Sequence, residues 1–430
     1  MRMFGAMTVK ENELCIGGIK ATDLVKEYGS PLYVMDEELI EETCTRYFKA
    51  FKCEENKNRV AFAGKAFLTK SMCRLVNEQG LYLDVVSGGE LYTAYKAEFP
   101  LEKVYFHGNN KTIDEIELGI KLGVGRFVAD NIEEISIINS IAEKYNVTQD
   151  IYLRLTPGIE AHTHDYIKTG QIDSKFGFAP VGNTIMNAVR FALDNKNINL
   201  KGLHCHIGSQ IFDIEPFEDA ARVMLGFINE IKLKTGHIIT ELDLGGGFGI
   251  HYTNEDKPKP VEEYCTAILN AVEEECEKLA LEKPILTIEP GRSIVGNAGT
   301  TLYTVGAIKE IPNVRTYISV DGGMTDNIRP ALYGAKYDMV IANKINEERE
   351  MQVAVAGKCC ESGDIFTKDI MLQKSERGDV LAVLATGAYG FSMSSNYNKN
   401  PRAAVVFVKN NKVKVVSKRQ TYEDLLELEI

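Results

Sequence analysis

Lys65 stands in "VAFAGKAF" (60–67), a lysine among apolar residues at the end of a short β-branched and aromatic run. Desolvation lowers the pKa of an amine, and a lysine so placed becomes a nucleophile toward aldehydes, the chemistry of a Schiff base. The plainer alternative is a stem lying on apolar surface with its ammonium in water. Near the other end, "VAGKCCESGD" (355–364) sets Cys359 beside Cys360, with Glu361 directly after. Two adjacent thiols can be metal ligands, a redox pair, buried residues, or one proton donor beside a bystander. The local sequence leaves these open.

Three more segments carry reactive or binding groups. "LDLGGGFGI" (242–250) offers consecutive glycines whose backbone N–H groups can turn onto a phosphate. It lacks the third glycine of a dinucleotide fingerprint and the Gly-Lys-Ser/Thr of a Walker loop, so a smaller phosphorylated ligand suits it better than a nucleotide. A tight strand–helix turn is the bland alternative. "TIEPGRSIVG" (287–296) places Glu289 and Arg292 about a Pro-Gly turn. The carboxylate can pair with a protonated ring nitrogen and the guanidinium can fork onto a carboxylate or phosphate, unless the two simply pair with each other. "GLHCHIGSQ" (202–210) puts His204 and His206 on one side of a strand, as side chains alternate. A metal is conceivable there with help from "HTHD" (162–165), but no acidic ligand lies close, and a flat imidazole against a planar cofactor competes. The expectation is no metal.

The elements that must position these groups are legible as a pattern. Eight short runs rich in β-branched and aromatic residues begin at residues 59, 82, 103, 126, 151, 202, 241 and 285, and amphipathic stretches such as "NIEEISIINSIAEKYN" (131–146) separate them. Strand and helix alternating eight times predict a (β/α)8 TIM barrel, with an open doubly wound sheet as the alternative. Catalytic groups of such barrels lie at the C-terminal ends of strands. Lys65, Asp84 with 87–89, residues 107–110, Asp130, Arg154, 206–209, 245–249 and 289–292 all fall there.

From residue 293 the pattern becomes short strands and turns, predicting a C-terminal β-sandwich or β-barrel domain. The early runs "LCIGG" and "PLYVMD" precede the barrel and are expected to join it. The resulting division is 1–35 (N-terminal strands of the β domain), 36–292 (barrel) and 293–430 (β domain). The polar, aperiodic stretch within 159–180 reads as a lid.

Net charge is −12 (49 basic against 61 acidic residues), which argues against non-specific nucleic-acid binding. Nine scattered cysteines without paired Cys-x-x-Cys motifs suggest neither a disulfide framework nor structural zinc. No run approaches the roughly 20 apolar residues of a membrane helix, and the first residues lack a signal-peptide core. The expected compartment is the cytoplasm.

Together these segments resemble the fold-type III decarboxylases that use pyridoxal 5′-phosphate, and within them the branch acting on diaminopimelate. The resemblance spans nearly the whole chain through "AGKAF", "DVVSGGEL", "FHGNNKT", "SKFGF", "GLHCHIGSQIFD", "LDLGGGFGI", "IEPGRSIV", "DGGMTDNIRPALYGA", "CCESGD" and "GAYGFSMSSNYN". It implies that Lys65 forms the internal aldimine, His206 stacks on the pyridine ring and Glu289 pairs with its nitrogen. Asp84 would also belong to the cofactor site. Ser209, Gly247, Gly291 and Arg292 would hold the phosphate with Tyr389. Arg292, Arg329, Tyr333 and Tyr389 would bind the far end of the substrate, with Glu361 facing its distal ammonium.

Cys360 would be the proton donor, supplied by the partner subunit of a head-to-tail homodimer, and Cys359 a neighbour facing elsewhere. The implied reaction is meso-2,6-diaminopimelate to L-lysine and CO2. Phe62 stands where tyrosine is frequent in the family, which removes at most one hydroxyl. Decarboxylation of ornithine, arginine or carboxynorspermidine is the alternative within the family. A non-catalytic cofactor carrier would need neither the β domain nor its thiol, and a racemase would leave the carboxylate in place.

Overall fold

Eight parallel strands close into a barrel: Arg59–Ala63, Tyr82–Val85, Val104–Phe106, Arg126–Ala129, Gln149–Arg154, Ile198–His204, Glu241–Asp243 and Ile285–Ile288. These are the eight runs expected, in the expected order, in a computed structural model that describes residues 2–159 and 174–430. Most of the expected lid, residues 160–173, lies outside the described residues. Thr287 and Ile288 of the last strand pair with Arg59 and Val60 of the first, which completes the closure.

The strands are almost wholly buried because helices cover the outside and side chains fill the inside. Ala61, Tyr105, Val128 and Tyr152 form one interior cluster. Several helices begin at a polar cap directly after a strand loop. Ser87, Thr112 and Asn131 accept the N–H of Glu90, Glu115 and Glu134 respectively, each satisfying an orphan donor of the first turn. Thr112 and Glu115 complete a reciprocal capping box.

The barrel's N-terminal end is closed by a charge cluster that does no chemistry. Glu241 accepts hydrogen bonds from Arg59 (3.0 Å), from Arg126 (2.9 and 2.9 Å) and from the Tyr152 hydroxyl (2.5 Å). Burial pushes this carboxyl up, but the Arg126 and Arg59 guanidiniums more than reverse that and hold it at about 2. Its folded value therefore lies below the ordinary 4.5, so the stabilisation is complete above about pH 4.5 and disappears as pH falls toward about 2. Glu241→Gln is expected to cost about 3 kcal/mol at neutral pH by leaving two guanidiniums undercompensated. A urea midpoint unchanged from wild type at pH 7 would contradict this. The gap between the two proteins should shrink on acidification.

The chain divides into two compact units, Thr43–Gly249 with Pro258–Gly291, and Met1–Glu42 with Ile250–Lys257 and Arg292–Ile430. The first holds the barrel. Ile250–Lys257 groups with the second although it lies between barrel strands in sequence. In the second unit a nine-stranded, mostly antiparallel sheet is built around the long strand Gly299–Ile311. Thr301 and Leu302 of that strand pair with Leu32–Asp36 on one side and Val380–Val383 on the other, and Ile308–Ile311 pair with Arg315–Val320.

Leu32–Asp36, the "PLYVMD" run, thus joins the large sheet. "LCIGG" instead supplies Glu13–Ile16 to a separate three-stranded sheet with Thr8–Lys10 and Ile19–Lys20. Its Leu14 and Ile16 still pack in the same core as Val34, Leu302, Val380 and Val406. Two strands of the large sheet had no sequence signal. Ile365–Leu372 carries "TKD" in its middle, which it tolerates as an edge strand, and Met339–Ile341 is only three residues long.

Candidate active site

Polar groups from separate strands converge at the C-terminal end of the barrel. His204 and Asp243 end their strands, and His107 and Glu289 follow theirs by one residue. The ligand atoms of these four lie within 4.8 Å of one another. His107 Nε2 stands 2.7 Å from Glu289 Oε1 and His204 Nε2 stands 3.3 Å from Oε2, so the carboxylate is gripped from both sides. The two imidazoles meet edge to face, centroids 4.8 Å apart. Asp84 closes the group, its Oδ1 3.8 Å from His107 Nε2.

Burial and these contacts sort the protons. Burial alone would push Glu289 up, but His107 and His204 reverse it and hold the carboxylate well below its usual range. Burial drives His204 down to about 3, so it faces Glu289 as a neutral imidazole donating from Nε2. Asp243 goes the other way: burial and the nearby Glu289 charge push its carboxyl well above its ordinary value. Asp84 is likewise raised by burial, with His107 pulling against it.

Lys65 lies in the 3-10 turn Gly64–Ala66 directly after the first barrel strand, half-buried. Its charge and that of Arg154, added to burial, lower His206 well below the ordinary imidazole value. His206 is therefore neutral. Its Nδ1 accepts the Gly246 N–H at 3.2 Å, which assigns its remaining proton to Nε2.

The glycine-rich loop needs its glycines for contact. A Cβ at Gly246 would stand 2.1 Å from the Glu289 carbonyl oxygen, and one at Gly247, where φ is +115°, 2.6 Å from that of Gly208. The loops after strands six, seven and eight thus pack backbone against backbone, with the Ile211 N–H donating to the Gly247 carbonyl (2.9 Å). Gly291 approaches Ala63 in the same way.

The β unit carries a second group. Arg292 donates to the Tyr252 hydroxyl (2.5 Å) and lies over the Tyr389 ring at 4.8 Å. Arg329 donates to the Tyr337 hydroxyl and lies over the Tyr252 ring at 5.0 Å. Burial raises the Tyr252 phenol, and the two guanidiniums more than reverse this, leaving it below its ordinary value. Tyr389 holds φ +60°, a left-handed conformation that a bulky residue adopts only where its surroundings enforce it. Tyr333 makes no hydrogen bond or ring contact with this group among the described residues, whereas Tyr337 meets Arg329.

The thiols sit on the hairpin loop between Met351–Ala356 and Ile365–Leu372. Cys360 and Glu361 are exposed and Cys359 is half-buried. Glu361 Oε1 accepts the Gly363 N–H (3.1 Å) within its own loop. Burial, then the Asp364 carboxylate, pushes the Cys359 thiol up to about 11, an inert neighbour. The other seven cysteines are buried, and all nine are free thiols.

Residues 37–296 match the family described as pyridoxal-dependent decarboxylase, pyridoxal binding domain. The diaminopimelate decarboxylase of Bacillus subtilis is 49% identical over 431 residues, covering 100% of this chain and 98% of that relative. The one from Bacillus methanolicus is 50% identical over 416 residues, 96% of each. The chain belongs to the diaminopimelate decarboxylase family. The family's fold agrees: the M. jannaschii enzyme, solved in co-complex with L-lysine, superposes with a TM-score of 0.93 at 38% identity, covering 99% of this chain and 98% of that one.

The family's cofactor is pyridoxal 5′-phosphate, and the barrel residues fit it. An ionised carboxylate, Glu289, is held ready for a pyridinium N–H. A flat neutral imidazole, His206, offers a stacking face. Backbone N–H groups of a loop too tight for any Cβ suit a phosphate, and a strand-end amine, Lys65, suits the aldehyde. Among the described residues the buried Asp84 Oδ1 has no hydrogen-bond partner, as expected of a polar pocket built for an occupant. The two imidazoles and two carboxylates also form a donor set that a transition metal accepts. The ring nitrogen of the family's cofactor would suit Glu289 equally.

Residues missed from sequence are those whose role is to hold another. Asp243 and His107 stood in quoted motifs but had no assigned role. Tyr252 and Tyr337 had no signal, because isolated tyrosines do not announce which arginine they meet.

Proposed function

We infer that this chain decarboxylates meso-2,6-diaminopimelate to L-lysine and CO2. The observation that carries the cofactor chemistry is Glu289 kept ionised between His107 and His204 at the barrel mouth. When bound, the cofactor's protonated ring draws in the electron pair left on the substrate carbon as CO2 departs. Glu289 would favour a protonated ring nitrogen, and His206 would offer the ring a flat, uncharged face. Lys65 would hold the cofactor through its aldehyde, its amine standing at the end of the first barrel strand. Asp84 belongs to the same polar pocket. Ser209, Gly247 and Gly291 bind the phosphate, with Arg292 and Tyr389.

The substrate reading rests on cations. Arg292 and Arg329 hold their guanidiniums within one cage of tyrosines, an arrangement that suits a carboxylate and gives nothing to a bare ammonium. Glu361 takes the distal ammonium, and Tyr333 flanks the same end. Cys360 delivers the proton to the carbon that lost CO2, reaching the site from the partner subunit of a homodimer. Nine free thiols support work in the reducing cytoplasm.

The test is to trap CO2 from meso-diaminopimelate, L-ornithine and L-arginine separately. CO2 with lysine is expected from diaminopimelate, at least about 10³-fold faster than from either analogue, which lacks the distal carboxylate that the two guanidiniums suit. Comparable CO2 from ornithine or arginine would overturn the roles of Arg329 and Glu361.

A further inference from the structure

The loop carrying Cys360 is tied down more firmly than an exposed hairpin requires. Asp364, 3% exposed, closes it: the Gly357 N–H donates to the Asp364 carbonyl at 2.9 Å. Its carboxylate then turns inward. Oδ1 accepts the Met324 N–H at 2.6 Å, and Oδ2 accepts the Cys359 N–H at 2.8 Å. A Cβ at Gly323 would stand 2.4 Å from Oδ2 and one at Gly357 2.2 Å, so both glycines are needed to admit the carboxylate. The Lys358 N–H adds a bond to the Gly322 carbonyl (2.9 Å).

The next residue has its own clamp. The Cys360 N–H donates to Asn398 Oδ1 at 2.8 Å, and the Glu361 N–H donates to the Cys359 carbonyl at 2.8 Å. Both peptide planes flanking Cys360 are thereby fixed, and its side chain keeps only χ1 as a soft torsion. Asn398 itself sits at φ +52°, a conformation asparagine tolerates better than most residues.

We propose that Asp364 and Asn398 are positioning residues for proton delivery, clamping the backbone on either side of Cys359 so that the Cys360 thiol meets one face of the reacting carbon. This rests on Cys360 being the proton donor. Asp364 suits the task because both its oxygens accept. An asparagine there would aim its amide N–H at one of the two backbone N–H groups and lose that bond.

Two variants test the clamp. Asp364→Asn removes one buried bond. Asn398→Gly removes the acceptor of Cys360 from an exposed position while keeping the left-handed backbone accessible, so folding is not at stake. Both should lower kcat about 10-fold with KM within about twofold, because a donor displaced by a fraction of an ångström loses rate rather than binding. In D2O the wild-type enzyme should place deuterium on the carbon that lost CO2 in a single configuration, and both variants in a mixture. Asn398→Asp, which keeps the acceptor, should restore rate and configuration.

A role in folding alone would reduce active enzyme without touching stereochemistry. Single-configuration product with kcat within about twofold in both variants, while Cys360→Ala loses turnover, would overturn the clamp. Full turnover by Cys360→Ala would instead remove the donor role, and the clamp with it.

Discussion

Lys65→Ala is expected to lose at least about 10⁴-fold in turnover and, with it, the near-visible absorption of bound cofactor. The lysine lies in a 3-10 turn at the end of the first barrel strand, flanked by buried Gly64 and Ala66. The backbone at that point is fixed by the Ala63 N–H donating to the Pro290 carbonyl (3.3 Å), across the barrel's closing seam. Little else in the barrel can substitute for its amine: Lys111 is fully engaged, with Nζ on the Gly108 and Val128 carbonyls (2.9 Å each) and on Glu134 (2.6 Å). Spectroscopy of purified protein with added cofactor decides the matter. A retained band, or turnover within about 100-fold of wild type, would remove Lys65 from the chemistry.

Glu289→Gln is the second large effect. The amide keeps the size and one acceptor for His107 or His204 but cannot carry the charge that holds a ring nitrogen protonated. A fall in kcat of about 10²–10³-fold is expected, the range seen when one preorganised electrostatic group is removed from a buried site. Cofactor should still bind, since Lys65 and the phosphate loop are untouched, but its absorption should change as the ring nitrogen loses its partner. The proton balance predicts a further sign. With Glu289 uncharged, one of the causes that raise Asp243 is gone, so the Asp243 carboxyl should become easier to ionise in the variant. Wild-type kcat in Glu289→Gln would contradict the assignment.

How much of this was legible beforehand depended on periodicity. The eight barrel strands were visible because each is a short apolar run followed by polar or glycine residues, and Lys65, Asp84, His206 and Glu289 were visible because barrels put reactive groups at those ends. Partners across the barrel were not. Nothing links His107 to Glu289 along the sequence, since the contact exists only after the sheet closes. Tyr333 was expected at the far end of the substrate, and nothing pointed to Tyr337 as the partner of Arg329. The helix Arg329–Tyr333 stops at Gly334, where φ is +61°, and the chain turns so that Tyr337 reaches the guanidinium. The clamp on Cys360 was invisible for the same reason: Asp364 is four residues away, but Met324 and Asn398 are brought to the loop only by the β unit's folding.

The distribution of thiols has a practical consequence. Seven are enclosed and Cys359 is shielded and hard to ionise, so Cys360 alone stands exposed. Alkylating reagents work on accessible thiolates. A single chain therefore offers one addressable thiol, at the tip of its hairpin, and the proposed homodimer, which carries Cys360 into the partner's site, should shield it. A fluorophore or spin probe attached there, with no cysteine engineered in or out, would watch that hairpin directly, and denaturant would bring the remaining eight thiols into reach as an internal count of unfolding.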